Sequence, residues 1–256
     1  MVNIDRESCI HCGLCTKVCA GLVLSMDEQN FPKYAPKGCI NCGHCESACP
    51  NGAIWLDDDL FTAAPDNELE QLLLSRRSIR HFHPEAPARE LISSVLQKAQ
   101  WAPSSKNQRL NGWSVIYGKE QTDSLLEKAM EHCRTAGTNR GLIRLYDCGI
   151  NLITCGAPCI IFSWISEQAI NHELDCAIAA AQAELMLTAQ GLGTCWGGFA
   201  TRLFSGDSEL RAMAGIPQDA RLCCTLMTGF PAEHYHSTPG RPSARIIWKE
   251  SNHGTD

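Results

Sequence analysis

The sequence predicts a small cysteine-rich domain followed by a larger α+β domain. One cysteine motif occurs twice near the start of the 256 residues. Beyond residue 60 the pattern is of helices interspersed with a few strands, which is typical of an α+β domain. No G-x-G-x-x-G segment follows a strand and opens a helix, so a Rossmann repeat is not indicated. We place the domains at 1–60 and 61–256.

Composition and charge narrow the class of protein. Charged residues make up 20% and apolar residues 44%, as in ordinary folded proteins. A formal net charge of −6 and the lack of a basic run argue against nucleic acid as a partner. The start, MVNIDRESC, lacks the features of a signal peptide, and no apolar run is long enough to span a membrane. We therefore expect a cytoplasmic protein without a membrane partner.

The duplicated motif has the form C-x2-C-x2-C-x3-C, and its two copies are offset by thirty residues. Two residues between thiolates let a tight loop wrap three ligands around one cluster, while the fourth cysteine ligates the other cluster. Two [4Fe–4S] clusters are therefore expected. Their ligands are Cys9, Cys12, Cys15 and Cys49 for cluster one, and Cys39, Cys42, Cys45 and Cys19 for cluster two.

Other interpretations of these loops are less favoured. Zinc usually takes two separated C-x2-C pairs, which this spacing does not provide. His11 and His44 lie inside the motifs, and we interpret them as solvated loop residues because the cysteines already complete both ligand sets. Gly13 and Gly43 occupy equivalent places where the loops must turn sharply. The whole pattern, including CPNGAI at 49–54, resembles bacterial two-cluster ferredoxins, although Ala20 stands where that family usually has proline.

After Trp55 the passage LDDDLFTAAPDNE is interpreted as a linker, and periodic patterns begin beyond it. Segment 168–191 is apolar nearly all round, so we expect it to lie centrally and to be shared with a second subunit. Helices are predicted at 68–76, 88–101, 120–135, 142–155, 168–191 and 205–214, and strands at 113–118, 157–164 and 221–229.

Three stretches combine basic, small and amide residues in the way that an anion requires: RRSIRHF at 76–82, WAPSSKNQR at 101–109 and TPGRPSARIIW at 238–248. Arginine suits phosphate because its forked donors are fixed in a plane. Each stretch also has an ordinary interpretation: a helix end with favourable charges, an N-cap loop and a solvated tail.

Taken in order from about Pro65 to Trp248, these stretches and the glycine-rich GLGTCWGG at 191–198 resemble the FMN-dependent nitroreductase family. The resemblance implies a nitroreductase-like α+β domain that binds FMN across a homodimer interface. The FMN-binding residues that it implies are Arg76, Arg77, Ser78, Arg80, Ser104, Asn107, Gly197, Gly198 and Arg241, with Arg245 a weaker candidate.

The resemblance also implies roles for these residues. Arg76, Ser78 and Arg241 would hold the phosphate and ribityl chain. The catalytic pair would be Arg80, beside the part of the ring where negative charge collects, and Gly198, whose backbone N–H would face flavin N5. The chain departs from the family pattern in its longer loop at 107–113 and in Gly197, which replaces a frequent acidic residue.

The remaining cysteines are Cys133, Cys148, Cys155, Cys159, Cys176, Cys195, Cys223 and Cys224, which we interpret as buried small apolar residues. The resulting hypothesis is an oxidoreductase that takes electrons from an external low-potential carrier of the ferredoxin type, through the clusters, to FMN. The acceptor would be a small nitro compound, quinone or activated alkene. The alternatives are an NAD(P)H-dependent FMN reductase that exports electrons through the clusters, and a non-catalytic redox carrier or sensor.

Overall fold

The structure is a computed structural model that describes residues 2–56 and 60–249. Part of the predicted linker, residues 57–59, lies outside the described residues. The chain forms two compact units. Unit 1 contains the residues up to Asn67 and those from Tyr235 onward, and unit 2 is Glu68–His234. The predicted domains differ from these units in two respects, because residues up to Asn67 and the C-terminal segment from Tyr235 both belong to the unit that holds the cysteine motifs.

Unit 1 is built from short strand pairs and short helices. Its elements are β1 (Val2–Ile4), α1 (Leu14–Lys17), β2 (Leu24–Met26), β3 (Pro32–Tyr34), α2 (His44–Ala48) and β4 (Ile54–Leu56). β1 pairs with β4 and β2 pairs with β3, both antiparallel. Each helix follows a glycine in the left-handed region, Gly13 at φ 71° and Gly43 at φ 73°. The duplicated sequence motif therefore gives a duplicated backbone turn.

Unit 2 is a four-stranded antiparallel sheet with helices on both faces. Its helices are α3 (Glu68–Ser75), α4 (Arg89–Lys98), α5 (Lys119–Ala136), α6 (Arg140–Asp147), α7 (His172–Ala189), α8 (Gly198–Ser205) and α9 (Ser208–Met213). The strands β5 (Asn111–Tyr117), β6 (Cys159–Ser166), β7 (Gly193–Trp196) and β8 (Ala220–Gly229) form the sheet in the order β5-β6-β8-β7. The predicted α+β class is confirmed.

The core of unit 2 lies on both faces of this sheet. Along β6, Ile160 and Phe162 point to the face covered by α5, α8 and α9, while Ile161 and Ile165 point to the face covered by α4 and α7. The alternation follows from the two-residue period of a strand. Burial on both sides explains why the β6 sequence CIIFSWIS contains a continuous apolar run.

α7 lies within the helix predicted at 168–191 but begins four residues later, at His172, and Gly191, at φ 76°, follows its C-cap residue Gln190. One side of α7 is fully buried in unit 2, whereas Ile178, Leu185 and Met186 on other sides are only half-buried. Leu174 near its start is 58% exposed. Among the helices of the described residues, none has both the length and the apolarity needed to cross a bilayer.

Two predicted helices differ from the structure. The helix predicted at 142–155 ends at Asp147, because Gly149 adopts φ 79° and the side chain of Asn151 accepts the N–H groups of Ile153 and Thr154. The helix predicted at 205–214 is shorter: α8 ends at Ser205, and α9 begins after Asp207, whose carboxylate accepts two backbone N–H groups. Strand β7 was not predicted at all.

Candidate cofactor sites

The eight motif cysteines lie in two sets of four. Cys9, Cys12, Cys15 and Cys49 line one small cavity of unit 1, and Cys19, Cys39, Cys42 and Cys45 line another. Each set therefore contains three cysteines from one repeat and the fourth cysteine of the other. This is the grouping that the sequence predicts for crossed cluster ligands.

The two crossing cysteines have equivalent surroundings. The backbone N–H of Val23 donates to Cys19 Sγ at 3.3 Å, and thirty residues later the N–H of Ala53 donates to Cys49 Sγ at 3.2 Å. Hydrogen bonds of this kind stabilise a thiolate and help to set the potential of an iron–sulfur cluster. The duplication thus extends to the groups that contact the sulfur atoms.

Burial makes free thiolates unfavourable in both cavities. It raises the pKa of Cys15 to about 11 and that of Cys45 to about 12. Thiolates at such positions need a compensating positive charge, which iron supplies when a cluster is bound. Within residues 2–56 and 60–249, no group of three or more Cys, His, Asp and Glu side chains is arranged to hold a single metal ion. The donors are instead distributed around the two cavities.

The two loop histidines differ from each other. His11 is exposed, its Nδ1 lies 3.0 Å from the carbonyl oxygen of Asn30, and its ring packs edge-on against Phe31. His44 is only 6% exposed and its Nδ1 lies 3.1 Å from Cys42 Sγ. The interpretation of both as solvated residues is therefore wrong for His44. This side chain is buried, and its ring lies 5.4 Å from that of Tyr235.

In unit 2, the arginine-rich stretch follows α3 and runs beside β7. The N–H of Ile79 donates to the carbonyl of Thr194 at 2.8 Å, which aligns residues 76–80 with the strand. Arg77 is buried and its Nη1 donates to the carbonyls of Leu74 and Arg76, both at 2.7 Å. Its guanidinium therefore caps the end of α3. Arg80 Nη1 donates to the Ser78 carbonyl at 3.1 Å.

A buried carboxylate holds Arg76. Glu184 of α7 is 5% exposed and its Oε1 accepts from Arg76 Nη1 at 3.1 Å. The same carboxylate accepts from Thr194 Oγ1 at 3.1 Å and from Trp196 Nε1 at 2.8 Å. Sequence reasoning missed this residue, although a single carboxylate within the apolar run AIAAAQAELML was a visible signal.

The predicted catalytic glycine opens α8. Gly197 donates its N–H to the carbonyl of Thr225 at 2.8 Å, and Gly198 is the exposed first residue of the helix. The first N–H groups of a helix have no partner within it, so they are available to an external acceptor. A Cβ added to Gly198 would meet no atom within 4 Å, which means that open space lies in front of this backbone.

The second predicted stretch, residues 101–109, contains a strained loop that is tied to α7. Asp175 accepts the Ser105 N–H with both carboxylate oxygens at 3.1 Å and the Ser105 hydroxyl at 3.0 Å. Beyond this anchor, Lys106, Asn107 and Arg109 all adopt positive φ, between 48° and 56°. Strain of this kind persists where the surroundings impose it, frequently at ligand sites. Within the loop, Ser104 Oγ accepts the Arg109 N–H at 3.0 Å.

The predicted FMN residues therefore form separate groups. Arg76–Arg80 and Gly197–Gly198 lie together around β7, near Glu184, whereas Ser104 and Asn107 belong to the loop held by Asp175. Nine residues of helix separate the two carboxylates, a distance of about 14 Å along the axis. Arg241 lies in unit 1, where its Nη1 donates to the Cys42 carbonyl at 3.3 Å, and its assignment to the FMN phosphate stays a prediction.

The other cysteines are mostly apolar packing residues, as expected. Cys133, Cys159, Cys176, Cys195 and Cys224 are buried, and Cys155 and Cys223 are half-buried. Cys148 is exposed at the end of α6, so the interpretation as buried is wrong for that residue.

Solved nitroreductase structures share this fold, and two of those compared here have bound FMN. A nitroreductase with bound FMN from Desulfitobacterium hafniense is 24% identical over 72% of this chain and 99% of its own, with a TM-score of 0.59. A nitroreductase with bound FMN from Bacteroides fragilis is 19% identical over 74% and 98%, with a TM-score of 0.56. The FMN and NADPH-dependent nitroreductase NfnB from a Sphigopyxis strain is 19% identical over 72% and 100%, with a TM-score of 0.56.

No curated protein matches the sequence. Two family models do match it: the nitroreductase family over residues 73–230, and a 4Fe-4S dicluster domain over residues 1–50. The first match covers more than half of the chain. These two family matches confirm the predictions of an FMN-dependent oxidoreductase and of an N-terminal iron–sulfur domain. The chain belongs to the nitroreductase family and carries a 4Fe-4S dicluster domain in front of it.

Proposed function

We propose that this protein passes electrons from an external low-potential carrier, through two [4Fe–4S] clusters and FMN, to a small acceptor such as a nitro compound, a quinone or an activated alkene. The observation that carries the proposal is the grouping of eight thiols into two crossed sets in a chain whose other unit has the nitroreductase fold. FMN accepts electrons singly or in pairs, so it can join a one-electron supply to a two-electron reduction.

The residues of unit 2 fit a bound flavin mononucleotide. Arg76 and Arg80 are each tethered through Nη1. A guanidinium has five N–H donors, so both side chains keep donors for a phosphate or a ring carbonyl. The tethers fix the positions of these cations before the ligand arrives, which reduces the entropic cost of binding. Gly198 at the start of α8 would offer its N–H to the flavin ring. Arg77 would hold the backbone near Arg76 in place through its hydrogen bonds to the carbonyls of Leu74 and Arg76.

The distribution of these residues along α7 favours a homodimer. The loop with Ser104 and Asn107 is anchored about 14 Å from the carboxylate that holds Arg76. Apolar residues of α7 also stay half-exposed in the single chain. A second copy packed on α7 would cover that surface. Each flavin would then contact Arg76 of one copy and the loop with Ser104 and Asn107 of the other. The eight thiols further require a reducing compartment, which accords with a cytoplasmic location.

The electron donor can be tested on anaerobically purified protein. Reduced ferredoxin should reduce the bound FMN rapidly, and a Cys42→Ala variant should lose this rate while it retains FMN. NADPH alone should reduce the FMN slowly in both proteins. Rapid reduction by NADPH in the variant would refute the proposed direction. It would support the alternative in which NAD(P)H reduces FMN directly, which is favoured by the description of NfnB as NADPH-dependent.

The flavin residues have their own test. An Arg76→Gln variant removes a charged hydrogen-bond donor and should weaken FMN binding about 10- to 100-fold. Arg140→Gln, which changes an exposed arginine of α6, is the matched control and should bind FMN normally. Unchanged FMN affinity in Arg76→Gln would contradict the phosphate assignment.

A further inference from the structure

The C-terminal segment 235–241 lies against the second cysteine loop of unit 1. Pro239 is buried on Gly43, so closely that a Cβ added to Gly43 would lie 2.3 Å from Pro239 Cβ. The His236 N–H donates to the Ser47 carbonyl at 2.6 Å, and the ring of Tyr235 lies 5.4 Å from that of His44. A glycine in this loop is therefore required both by its φ of 73° and by the segment that covers it.

Arg241 ends this segment, and its exposed side chain reaches the second cysteine loop. Its backbone forms an antiparallel bridge with Phe61 through hydrogen bonds of 2.8 and 3.0 Å. From that anchored position its Nη1 donates to the carbonyl of Cys42 at 3.3 Å and to that of Gly240 at 3.1 Å. The contact joins residues 199 positions apart and places a permanent cation beside a predicted cluster ligand.

The first cysteine loop has different surroundings. A Cβ added to Gly13 would meet only Thr16 Oγ1, at 3.9 Å. Cys12 is exposed, whereas its counterpart Cys42 is half-buried. Near this loop Arg6 is paired with Asp27 at 2.8 Å, which neutralises its charge. The two repeats are therefore alike in backbone and unlike in what covers them.

We propose that Arg241 raises the reduction potential of the cluster held by Cys39, Cys42, Cys45 and Cys19, so that the C-terminal segment makes the two duplicated clusters unequal. Reduction adds one electron from the external carrier to a cluster and increases its negative charge. A fixed cation nearby favours the reduced form, and net charge is among the factors that set the potential of a cluster. The inference rests on the two proposed clusters but not on the flavin reaction.

The test uses the full chain, purified without oxygen, with iron, sulfide and FMN counted and both cluster potentials measured by EPR-monitored titration. Arg241→Gln should keep both clusters and FMN and should shift one of the two midpoint potentials to a more negative value. Arg241→Lys keeps the charge and should shift it less. Arg245→Gln removes the same charge four residues later, from a position that is exposed like that of Arg241, and should leave both potentials unchanged.

Several results would overturn this role. Unshifted potentials, or equal shifts of both clusters, would refute it, as would the same shift in Arg245→Gln. Loss of FMN with unchanged potentials would instead support the FMN-phosphate prediction for Arg241. Loss of a cluster in both Arg241→Gln and Arg241→Lys would show that the side chain only supports the loop. A wild-type chain with far fewer than about eight irons would refute the proposed clusters and this inference with them.

Discussion

Unit 1 and unit 2 differ in what fills their interiors. The buried cluster of unit 1 contains Val2, Leu24, Ile54 and Leu56 together with the thiols of Cys15 and Cys45. Unit 2 has apolar clusters on both faces of its sheet, with Phe162 and Phe204 among the fully buried side chains. A domain as small as unit 1 buries too little apolar surface to offset its loss of conformational entropy. We infer that the clusters stabilise unit 1, whereas apolar burial stabilises unit 2.

The largest expected effect is that of iron removal. Apoprotein prepared with acid or a chelator should lose the structure of residues 2–56, because the buried thiols then lose their common partner. Hydrogen exchange of these amides should approach the rate of an unfolded chain, while β6 and β8 stay protected. Reconstitution with iron and sulfide should restore protection. Persistent protection of residues 2–56 in the apoprotein would contradict the inference that the clusters stabilise unit 1.

A crossing ligand should affect one cluster selectively. Cys49→Ala removes the fourth thiol from the set with Cys9, Cys12 and Cys15, so the iron content should fall from about eight to about four per chain. Cys148→Ala, which changes the exposed cysteine of unit 2, is the control and should retain all the iron. Iron that is unchanged in Cys49→Ala would show that this thiol is not a ligand.

In unit 2, side-chain packing should dominate stability. Phe162 is fully buried, with its ring 5.2 Å from that of Phe204. Phe162→Ala should lower the free energy of unfolding of this unit by about 3–5 kcal/mol, through lost burial and the cavity left behind. Denaturant unfolding monitored by exchange in β6 measures this loss. The iron content should not change, and Trp101→Ala, at a residue 78% exposed, should leave the stability almost unaltered.

The smallest expected effect concerns one buried hydroxyl. Thr122 is fully buried, and its Oγ1 lies 2.9 Å from the Ala157 carbonyl, 35 residues away. Thr122→Val keeps the shape and removes the hydrogen bond, which should cost about 1 kcal/mol. Thr135→Val on the exposed part of the same helix is the matched control. Equal losses in the two variants would indicate that burial does not determine the strength of this interaction.

Local signals predicted much of the fold. The long apolar segment of α7, the apolar runs of β6 and β8, and the left-handed turns at Gly13 and Gly43 lie where the sequence indicated. β7 escaped prediction because a strand of four residues has no usable period and depends on its pairing with β8, where Gly193 faces Gly229. The end of α6 was predicted too late, although Gly149 was a visible stop signal.

Sequence alone determined which cysteines share a loop and which backbone positions must be glycine, because ligand spacing and steric limits act over a few residues. It also determined the order of the stretches that indicate a flavin. Only the tertiary structure decided that Glu184 holds Arg76, 108 positions away, and that Arg241 contacts the loop of Cys42. Such contacts have no periodic signature, since they arise only where the folded chain brings residues distant in sequence together.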